Sequence, residues 1–374
     1  MTAKSVYFDN NSTHAPIQDI ITNSFKEYFE NYYNPSGATK FSLACQSRIE
    51  LARSYFSAIT GKNQRGLIFT STGTESNYLL VSALAETLSS KKIITSTLEH
   101  PSAYAAMESY GFEVILIKTD KTGRIDLNDL ETKLKIHNSP VFLIYASNET
   151  GVIQPVKEAQ MLAKKFGTFL FSDLMQAFGK TEIDFSALSG FSFSGHKIGA
   201  GMGSSIAYID PELAKNKDFS IFRGGNQENG LRAGTENLQS IIAFHKSSEF
   251  QLTHLAEKNK KLSGFQKKIE TELKGLGAII VSENSTRLSS TTFAILPIAD
   301  IDFFMIGIED KNIVISNGAS CKSRTRTPSG TLLSMGYAKE EALRAVRISS
   351  GFFTTEAEVN LLIDSAKEIL KKLK

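Results

Sequence analysis

Thr168-Phe169-Leu170-Phe171-Ser172-Asp173 is the stretch that decides the fold, together with Phe191-Ser192-Phe193-Ser194-Gly195-His196-Lys197. Each begins as a short apolar run typical of a buried strand, and they end in a carboxylate and an amine. Pyridoxal phosphate needs such a pair, because the amine forms a Schiff base with it and the carboxylate keeps its pyridinium nitrogen protonated. The alternative is that Asp173 is an ordinary helix cap and Lys197 a solvated surface residue.

Around these two segments, helical periodicity alternates with short apolar runs. The pattern predicts strands over 67–69, 93–95, 114–117 and 141–145, and helices over 17–32, 46–59, 75–86, 102–110 and 156–166. Such alternation is typical of an α/β fold, with a mostly parallel central sheet covered by helices and a site at the carboxyl ends of the strands.

The pattern changes near Glu249. A polar helix over 252–273 precedes apolar runs at 278–281, 291–295 and 314–315, and a final helix is predicted over 356–373. We therefore predict a large domain over 16–249, and a smaller α+β domain formed by 1–15 and 250–374.

Composition excludes several classes of protein. The 374 residues include 42 basic and 39 acidic side chains, and this balance gives no case for nucleic acid or membrane binding. No apolar run is long enough for a membrane span, and the first residues lack the apolar region of a signal peptide. The two cysteines, Cys45 and Cys321, cannot form a disulfide framework, which indicates a reducing, cytoplasmic setting.

Polar motifs follow several predicted strands. Thr70-Ser71-Thr72-Gly73-Thr74-Glu75-Ser76 opens a helix, so it suits either a cofactor phosphate or an ordinary N-cap. His100 could stack on a pyridine ring and shuttle protons, or be merely solvated. Asn148 and Gln176 could bind the phenolic oxygen of the cofactor, although Asn before a glycine turn is common without any function. A glycine-rich loop at 224–237 could approach a ligand or a second subunit, or be a long surface loop.

Cys321 and Arg347 are the remaining candidates. Cys321 has small, polar flanks, and Lys322, Arg324 and Arg326 favour its thiolate, so it is the candidate nucleophile, whereas apolar neighbours make Cys45 a core residue. Arg347 lies in an apolar run, where its guanidinium suits either a substrate carboxylate or a structural ion pair.

In this order, the motifs resemble those of the cysteine desulfurases, which belong to the class V aminotransferase group of pyridoxal phosphate enzymes. The resemblance extends from Asp9-Asn10-Asn11-Ser12-Thr13 to Gly351-Phe352-Phe353-Thr354-Thr355. It implies a fold-type I enzyme that converts L-cysteine to L-alanine and passes sulfur to an acceptor or scaffold protein. It also implies a homodimer with active sites at the subunit interface, and no metal ion is expected. The spacing of Cys321 and Pro328 resembles the long-loop branch, which serves iron–sulfur cluster assembly.

The resemblance also implies a role for each matching residue. Lys197 resembles the Schiff-base lysine, Asp173 the partner of the ring nitrogen, His100 the ring-stacking acid/base and Cys321 the persulfide carrier. The remaining matches are Asn148 and Gln176 at the phenolic oxygen, Gly73, Thr74, Ser194 and His196 at the phosphate, Thr235 as a phosphate ligand lent by the partner subunit, and Arg347 at the substrate carboxylate.

The sequence departs from the family pattern in four motifs. Gly201-Met202-Gly203 replaces Pro-Lys-Gly, and Gly37-Ala38-Thr39 replaces Ser-x-His. In the other two, Asn226 and Asn229 replace Gly and Arg, and Phe352 replaces an arginine. None of these removes a chemical group named above. Three alternatives stay open: a selenocysteine or cystine lyase, an aminotransferase, and a sulfur-relay partner without catalysis.

Overall fold

The computed structural model describes residues 5–186, 188–215, 219–317 and 327–373. The strands are β1 (Val6–Tyr7), β2 (Leu67–Thr70), β3 (Lys92–Ser96), β4 (Glu113–Ile117), β5 (Val141–Ile144), β6 (Leu170–Asp173), β7 (Gly190–Ser194), β8 (Ser205–Ile209), β9 (Ile279–Ile280), β10 (Thr291–Ile295), β11 (Ile313–Val314) and β12 (Ala345–Ser349). The helices are α1 (Gln18–Glu30), α2 (Lys40–Thr60), α3 (Gly73–Thr87), α4 (Pro101–Ser109), α5 (Leu127–His137), α6 (Val156–Lys165), α7 (Pro211–Ala214), α8 (Leu238–Thr253), α9 (Leu255–Gly275), α10 (Ile301–Glu309), α11 (Gly330–Ser334), α12 (Lys339–Ala342) and α13 (Glu356–Leu373).

A seven-stranded sheet with the order β2-β8-β7-β6-β5-β3-β4 forms the centre of the larger part of the molecule. The strands β7, β6, β5, β3 and β4 pair in parallel, whereas β8 runs antiparallel to both of its neighbours. Every residue of β5, β6 and β7 is buried, because helices cover both faces of the sheet. The predicted α/β fold with a mostly parallel sheet is confirmed.

Aromatic side chains pack tightly beneath the strand that leads to Lys197. Phe193 on β7 stacks on Phe178 with ring centroids 3.9 Å apart, and Phe56 of α2 and Phe244 of α8 pack on the same pair. Burying each ring contributes about 1.5–3 kcal/mol. This packing holds the end of β7 in place under the site.

A second group of elements surrounds a three-stranded antiparallel sheet with the order β12-β10-β9. The first strand, β1, pairs in parallel with β11, so the N-terminal segment lies beside these elements. Helices α9, α10 and α13 supply buried side chains to their common hydrophobic cluster, which includes Phe304 and Leu370. The sheet matters for function because β12 carries Arg347.

Two helix predictions were wrong in their bounds. Helix α2 begins at Lys40 instead of residue 46, because Thr39 accepts a hydrogen bond from the Ser42 N–H (3.1 Å) and so caps the helix earlier. The segment 252–273 is not one helix: α8 ends at Thr253 and α9 begins at Leu255, so residues 249 and 250 lie inside α8.

Cys45 lies inside α2 and is fully buried, as predicted. None of the described helices combines the length and the apolar character needed to cross a membrane.

Candidate active site

The carboxyl ends of three strands bring polar side chains to one edge of the central sheet. Ser205 of β8 lies opposite Thr70 of β2 on one side and Ser194 of β7 on the other. On the next strand, Asp173 of β6 lies opposite Ser192. The helix that follows β2, the carboxylate that ends β6 and the turn that follows β7 therefore meet at this edge, as expected for parallel α/β sheets.

Asp173 is almost fully buried, with 1% of its surface exposed. Its Oδ2 accepts a hydrogen bond from Asn77 Nδ2 (2.9 Å), and its Oδ1 accepts one from the Met175 N–H (2.8 Å). The Asn77 amide is itself held in this orientation, because its Oδ1 accepts from the Ser192 hydroxyl (2.6 Å). Both carboxylate oxygens thus accept a hydrogen bond, which holds the group in one orientation at the end of β6.

Lys197 ends the short 3-10 turn, Gly195–Lys197, that follows β7. Its Nζ donates to the carbonyl oxygens of Asn11 and Ser12, each at 2.8 Å. These two residues belong to the segment after β1, so the amine at the end of the large sheet contacts the N-terminal segment of the chain. The amine is thus fixed by two backbone acceptors.

His100 caps helix α4 and lies close to both groups. Its Nδ1 accepts from the Ser102 N–H (3.2 Å) and lies 2.7 Å from the Ser102 hydroxyl. Burial lowers the pKa of His100, the negative charge of Asp173 opposes this shift, and the positive charge of Lys197 adds to it. The ring is therefore biased towards the neutral form, which can exchange a proton.

Gln176 and Asn148 approach the same N-terminal segment. Gln176 donates through Nε2 to the Asn11 carbonyl (2.8 Å), and the backbone carbonyl of Asn148 accepts from Asn11 Nδ2 (3.2 Å). The side chain of Asn148 is half-buried. Both residues predicted to hold the phenolic oxygen are thus joined through Asn11.

Arg347 is buried, with 6% of its surface exposed. Its Nη2 donates to Asp9 Oδ1 (2.7 Å) and to the Ser12 hydroxyl (2.8 Å), and its Nη1 donates to the Asn148 carbonyl (2.9 Å). Its Nε has no hydrogen-bond partner among the described residues. The structure thus contains the ion pair that was one of the two interpretations, and one buried N–H remains for a ligand.

The phosphate candidates lie at the N-terminus of α3 and after β7. Thr72 caps α3, and the Glu75 carboxylate accepts from the Ser71 N–H (2.8 Å), an arrangement that orders the turn. Thr74 is exposed, and Gly73 packs so closely on Met175 that an added Cβ would lie 2.7 Å from the Met175 methyl carbon. The N–H groups at the start of this 15-residue helix can bind an anion.

The two candidates after β7 are already engaged within the chain. The Ser194 hydroxyl donates to the Ser204 carbonyl (3.3 Å), and His196 Nδ1 lies 3.3 Å from the Thr13 hydroxyl. Burial, followed by the charges of Lys197 and Lys180, lowers the pKa of His196 to about 4. A neutral His196 can still donate one hydrogen bond to a phosphate.

One predicted residue, Thr235, is not brought into this cluster, and another falls outside the part of the chain that the structure describes. Thr235 is exposed on the glycine-rich loop. Its neighbour Arg232 does reach the phosphate turn, since its Nε donates to Glu75 (2.8 Å) and its Nη2 to the Ser71 hydroxyl (2.7 Å). Cys321 lies outside the described residues. Ser316, shortly before it in sequence, forms a β-bridge with Arg347.

Three residues of the site had no role in the sequence-based prediction: Asn11, Asn77 and Lys180. Lys180 is buried and donates to Gln176 Oε1 (2.5 Å) and Asn11 Oδ1 (3.1 Å). Its position four residues after Gln176 was the available signal, since that spacing brings side chains together in a helical turn. No comparable local pattern marks Asn77, which meets Asp173 across 96 positions.

This set of groups fits pyridoxal 5′-phosphate. It combines an amine on a strand end, a buried carboxylate supported by donors, a neutral imidazole and a helix N-terminus suited to a phosphate. The fit rests on this donor chemistry, with Lys197 and Asp173 at its centre.

Comparisons with known proteins point to one family. A family model described as Aminotransferase class-V matches residues 6–362. A cysteine desulfurase of Nostoc sp. is 29% identical over 378 residues, which cover 99% of this chain and 94% of the relative. The cysteine desulfurase NifS of Azotobacter vinelandii is 30% identical over 379 residues, covering 99% and 93%. The X-ray structure of a NifS-like protein from Rickettsia africae matches with a TM-score of 0.88 at 29% identity, covering 98% of this chain and 99% of that one.

Proposed function

We propose, since the chain belongs to the class-V aminotransferase family, that it is a pyridoxal phosphate-dependent cysteine desulfurase. It would convert L-cysteine to L-alanine and hold the sulfur as a persulfide on Cys321. One observation carries this proposal: Lys197 and Arg347 both bind the segment that follows β1, which brings the two groups together. The charges of Lys197 and Asp173 both shift the pKa of His100, so these groups lie near the same ring. The chain that holds them is similar throughout its length to cysteine desulfurases.

In this proposal the cofactor would be held by groups at the ends of five strands, β2, β3, β5, β6 and β7. Lys197 binds it covalently, Asp173 pairs with its ring nitrogen and His100 lies against its ring. The other contacts would be Gln176 and Asn148 at the phenolic oxygen, and Gly73, Thr74, Ser194 and His196 at the phosphate. When bound, the cofactor accepts the electrons of the substrate Cα–H bond and so weakens the bond from Cβ to sulfur.

Lys197 is proposed as the base that takes the α-proton. Its two backbone acceptors, the Asn11 and Ser12 carbonyls, support this role, because they limit the positions that Nζ can adopt. His100 is the second candidate for proton transfer. Burial and the nearby Lys197 favour its neutral form, and an imidazole exchanges protons readily near neutral pH.

Arg347 is proposed to bind the carboxylate of L-cysteine. Its buried Nε–H lacks a partner among the described residues, and an incoming carboxylate would satisfy it. Asp9 and Ser12 hold the guanidinium through Nη2, so the fork is oriented before substrate arrives. The ion pair and the carboxylate role are therefore compatible.

The role of Cys321 rests on its sequence context alone. The thiolate would attack the substrate sulfur, forming a sulfur–sulfur bond while the bond from sulfur to Cβ breaks. The electron pair of the broken bond stays with the carbon skeleton, which takes up protons and leaves as alanine. Lys322, Arg324 and Arg326 favour the thiolate that this attack requires.

A homodimer forms part of the proposal. Thr235 is exposed, yet it matches a phosphate ligand lent by the partner subunit in the family pattern. The test is a mixing experiment with Lys197→Ala and Thr235→Ala, each impaired on its own. If sites are shared, mixed dimers regain activity, because one of their two sites combines an intact Lys197 with an intact Thr235. No recovery in verified mixed dimers contradicts a shared site.

The destination of the sulfur is proposed more coarsely. The spacing from Cys321 to Pro328 supports transfer to an acceptor or scaffold protein, with iron–sulfur cluster assembly as the process served. The two-cysteine composition supports a cytoplasmic setting.

The deciding experiment measures alanine and protein-bound persulfide from L-cysteine in wild type, Cys321→Ala and Cys45→Ala. Cys45 is the matched control, because it is fully buried in α2 and donates to the Asn31 carbonyl (3.1 Å). We expect Cys321→Ala to lose both products while it retains bound cofactor, and Cys45→Ala to keep both. Alanine output unchanged in Cys321→Ala would indicate a lyase, and a keto-acid product an aminotransferase. No product and no bound cofactor in wild type would indicate a relay protein.

A further inference from the structure

Lys180 is a buried lysine bound by two amide oxygens next to the proposed catalytic lysine. Only 8% of its surface is exposed. Its Nζ lies 2.5 Å from Gln176 Oε1 and 3.1 Å from Asn11 Oδ1. A buried amine is costly unless it is hydrogen-bonded, so these two contacts are the features that make its position tolerable.

The two contacts decide which way both amides point. The N–H groups of a lysine amine can only face the oxygen of a side-chain amide, because the amide nitrogen is itself a donor. Lys180 therefore directs the nitrogen of Gln176 away from itself, towards the Asn11 carbonyl (2.8 Å). In the same way it directs the nitrogen of Asn11 towards the Asn148 carbonyl (3.2 Å) and the Thr291 hydroxyl (3.0 Å).

From these amides the hydrogen bonds continue to the reactive groups. The Asn11 carbonyl that accepts from Gln176 also accepts from Lys197 Nζ (2.8 Å). The Asn148 carbonyl that accepts from Asn11 also accepts from Arg347 Nη1 (2.9 Å). One hydrogen-bond network thus joins the Lys197 amine, which would hold the cofactor, to the Arg347 guanidinium, which would hold the substrate. Lys180 decides which atom of the Gln176 and Asn11 amides donates and which accepts in this network.

We propose that Lys180 is a positioning residue, which fixes the amides of Gln176 and Asn11 so that the donor of Gln176 faces the cofactor's phenolic oxygen. The proposal rests on the proposed function of the site. Without Lys180, the Gln176 amide is free to turn over. Its oxygen would then face the Asn11 carbonyl and the phenolic oxygen, both of which are acceptors, and the contact would become repulsive.

The surroundings of Lys180 support a positioning role over a structural ion pair. The two groups that it contacts are neutral amide oxygens rather than carboxylates. Burial lowers the pKa of Lys180 well below its ordinary value, and the positive charges of Lys197, Lys258 and Arg347 lower it further. Replacing it with methionine, which keeps the length of the side chain, removes the cost of burying an amine. This gain offsets the loss of a donor to the two amide oxygens, so we expect no net loss of stability.

The first experiment measures pyridoxal phosphate binding to the apo enzyme and unfolding of the same apo protein. We expect Lys180→Met to weaken cofactor binding about tenfold, which corresponds to about 1.4 kcal/mol, without a loss of apo stability. Lys258→Met is the matched control, because Lys258 is also buried but donates to Gln251 Oε1 (2.6 Å) and the Gly179 carbonyl, outside this network. We expect wild-type affinity in the control. Unchanged affinity in Lys180→Met, or a loss of affinity together with a loss of apo stability, overturns the proposal.

The second experiment asks whether Lys180 acts through Gln176. In a Gln176→Ala background, Lys180→Met should weaken cofactor binding by less than about twofold, since the one oriented amide that would face the cofactor is gone. An equally large loss in both backgrounds contradicts this mechanism. Both experiments measure cofactor binding, so they decide the role of Lys180 even if the wild type forms no alanine from L-cysteine, a result that would instead overturn the proposed reaction.

Discussion

Arg347 donates through Nη2 to Asp9 Oδ1 at 2.7 Å, and this buried ion pair joins strand β12 to the segment that follows β1. The same segment presents the Asn11 and Ser12 carbonyls to Lys197. Residues 9–12 therefore set the position of the proposed substrate anchor relative to the proposed base. A short segment outside both strands thus fixes the distance between Arg347, proposed to bind the substrate carboxylate, and Lys197, proposed to remove the α-proton.

The first prediction concerns this anchor. Arg347→Lys should raise KM for L-cysteine about tenfold or more while kcat falls less, because a lysine is a point charge on a flexible stem and cannot pair with Asp9 while it also offers the substrate carboxylate the donor that Nε provides. Steady-state alanine formation measures both constants, and the visible absorbance of bound cofactor verifies that the site is loaded. A kcat that falls with KM unchanged would assign Arg347 to the ion pair alone.

The strand ends that carry the site were predictable because fully buried parallel strands appear in a sequence as short apolar runs. The end of β6 at Asp173 and the position of Lys197 just after β7 followed from that pattern, whereas β6 begins at Leu170 instead of residue 168. Strand β8 was not predicted, although residues 206–209 form a buried apolar run like those of its neighbours, because its antiparallel position is defined by pairing with β2 and β7. Helix α8 was missed because it is buried on most of its surface, which weakens the periodicity of an amphipathic helix.

The supporting residues could not be predicted, for a related reason. Asn77 and Asp173 are 96 positions apart, and Asn11 and Gln176 are 165 apart. Such contacts exist only after the sheet has formed, so nothing in their local sequence marks them. Arg347 shows the limit most clearly: the sequence allowed an ion pair or a substrate contact, and the geometry leaves room for both.

The second prediction tests the support of Asp173. Asn77→Leu removes the donor to Asp173 Oδ2 (2.9 Å) and leaves a buried carboxylate oxygen without that partner, which costs about 1–3 kcal/mol. We expect weaker pyridoxal phosphate binding and a lower unfolding free energy. The matched control is Ser82→Ala on the same helix, which loses hydroxyl bonds to the Leu79 carbonyl (2.8 Å) and to Tyr110 and leaves Asp173 untouched. Wild-type cofactor affinity in Asn77→Leu would show that Asp173 needs no support from α3.

The third prediction concerns the anchor of the glycine-rich loop. Arg53 binds Glu228 through two hydrogen bonds of 2.7 and 2.8 Å, and Glu228 also accepts from the Phe69 N–H (2.8 Å) of β2. The loop backbone is strained there, since Glu228 and Asn229 have φ of 50° and 58°.

Glu228→Gln should lower the free energy of unfolding by about 1–3 kcal/mol, because the buried Arg53 guanidinium loses its two-bond carboxylate partner and keeps only the exposed Glu50 carboxylate at 3.2 Å. Glu27→Gln breaks a solvent-exposed pair with Arg48 and should cost less than about 1 kcal/mol. Urea unfolding of both variants gives the comparison. Equal losses would mean that the buried pair has no special role.

The fourth prediction concerns Glu99, a buried carboxyl beside the site. Burial, with a contribution from the negative charge of Asp173, raises the pKa of Glu99 from 4.5 to about 8, although the Ser96 hydroxyl (2.6 Å) opposes the shift. Between pH 4.5 and about 8, Glu99 therefore keeps its proton in the folded protein but loses it in the unfolded chain. The stability contributed by this group is therefore present below pH 4.5 and is lost as the pH rises to about 8.

Glu99→Gln removes this dependence, because an amide does not titrate in this range. The variant should gain stability relative to wild type by about 1.4 kcal/mol for each pH unit between 4.5 and 8, and the difference should level off above that range. Urea unfolding at a series of pH values measures it, with Glu108→Gln, an exposed carboxyl on α4, as the control for the loss of one acidic group. A stability difference that stays constant with pH would contradict the raised pKa. It would mean that Glu99 is ionised in the folded protein, with its negative charge buried near that of Asp173.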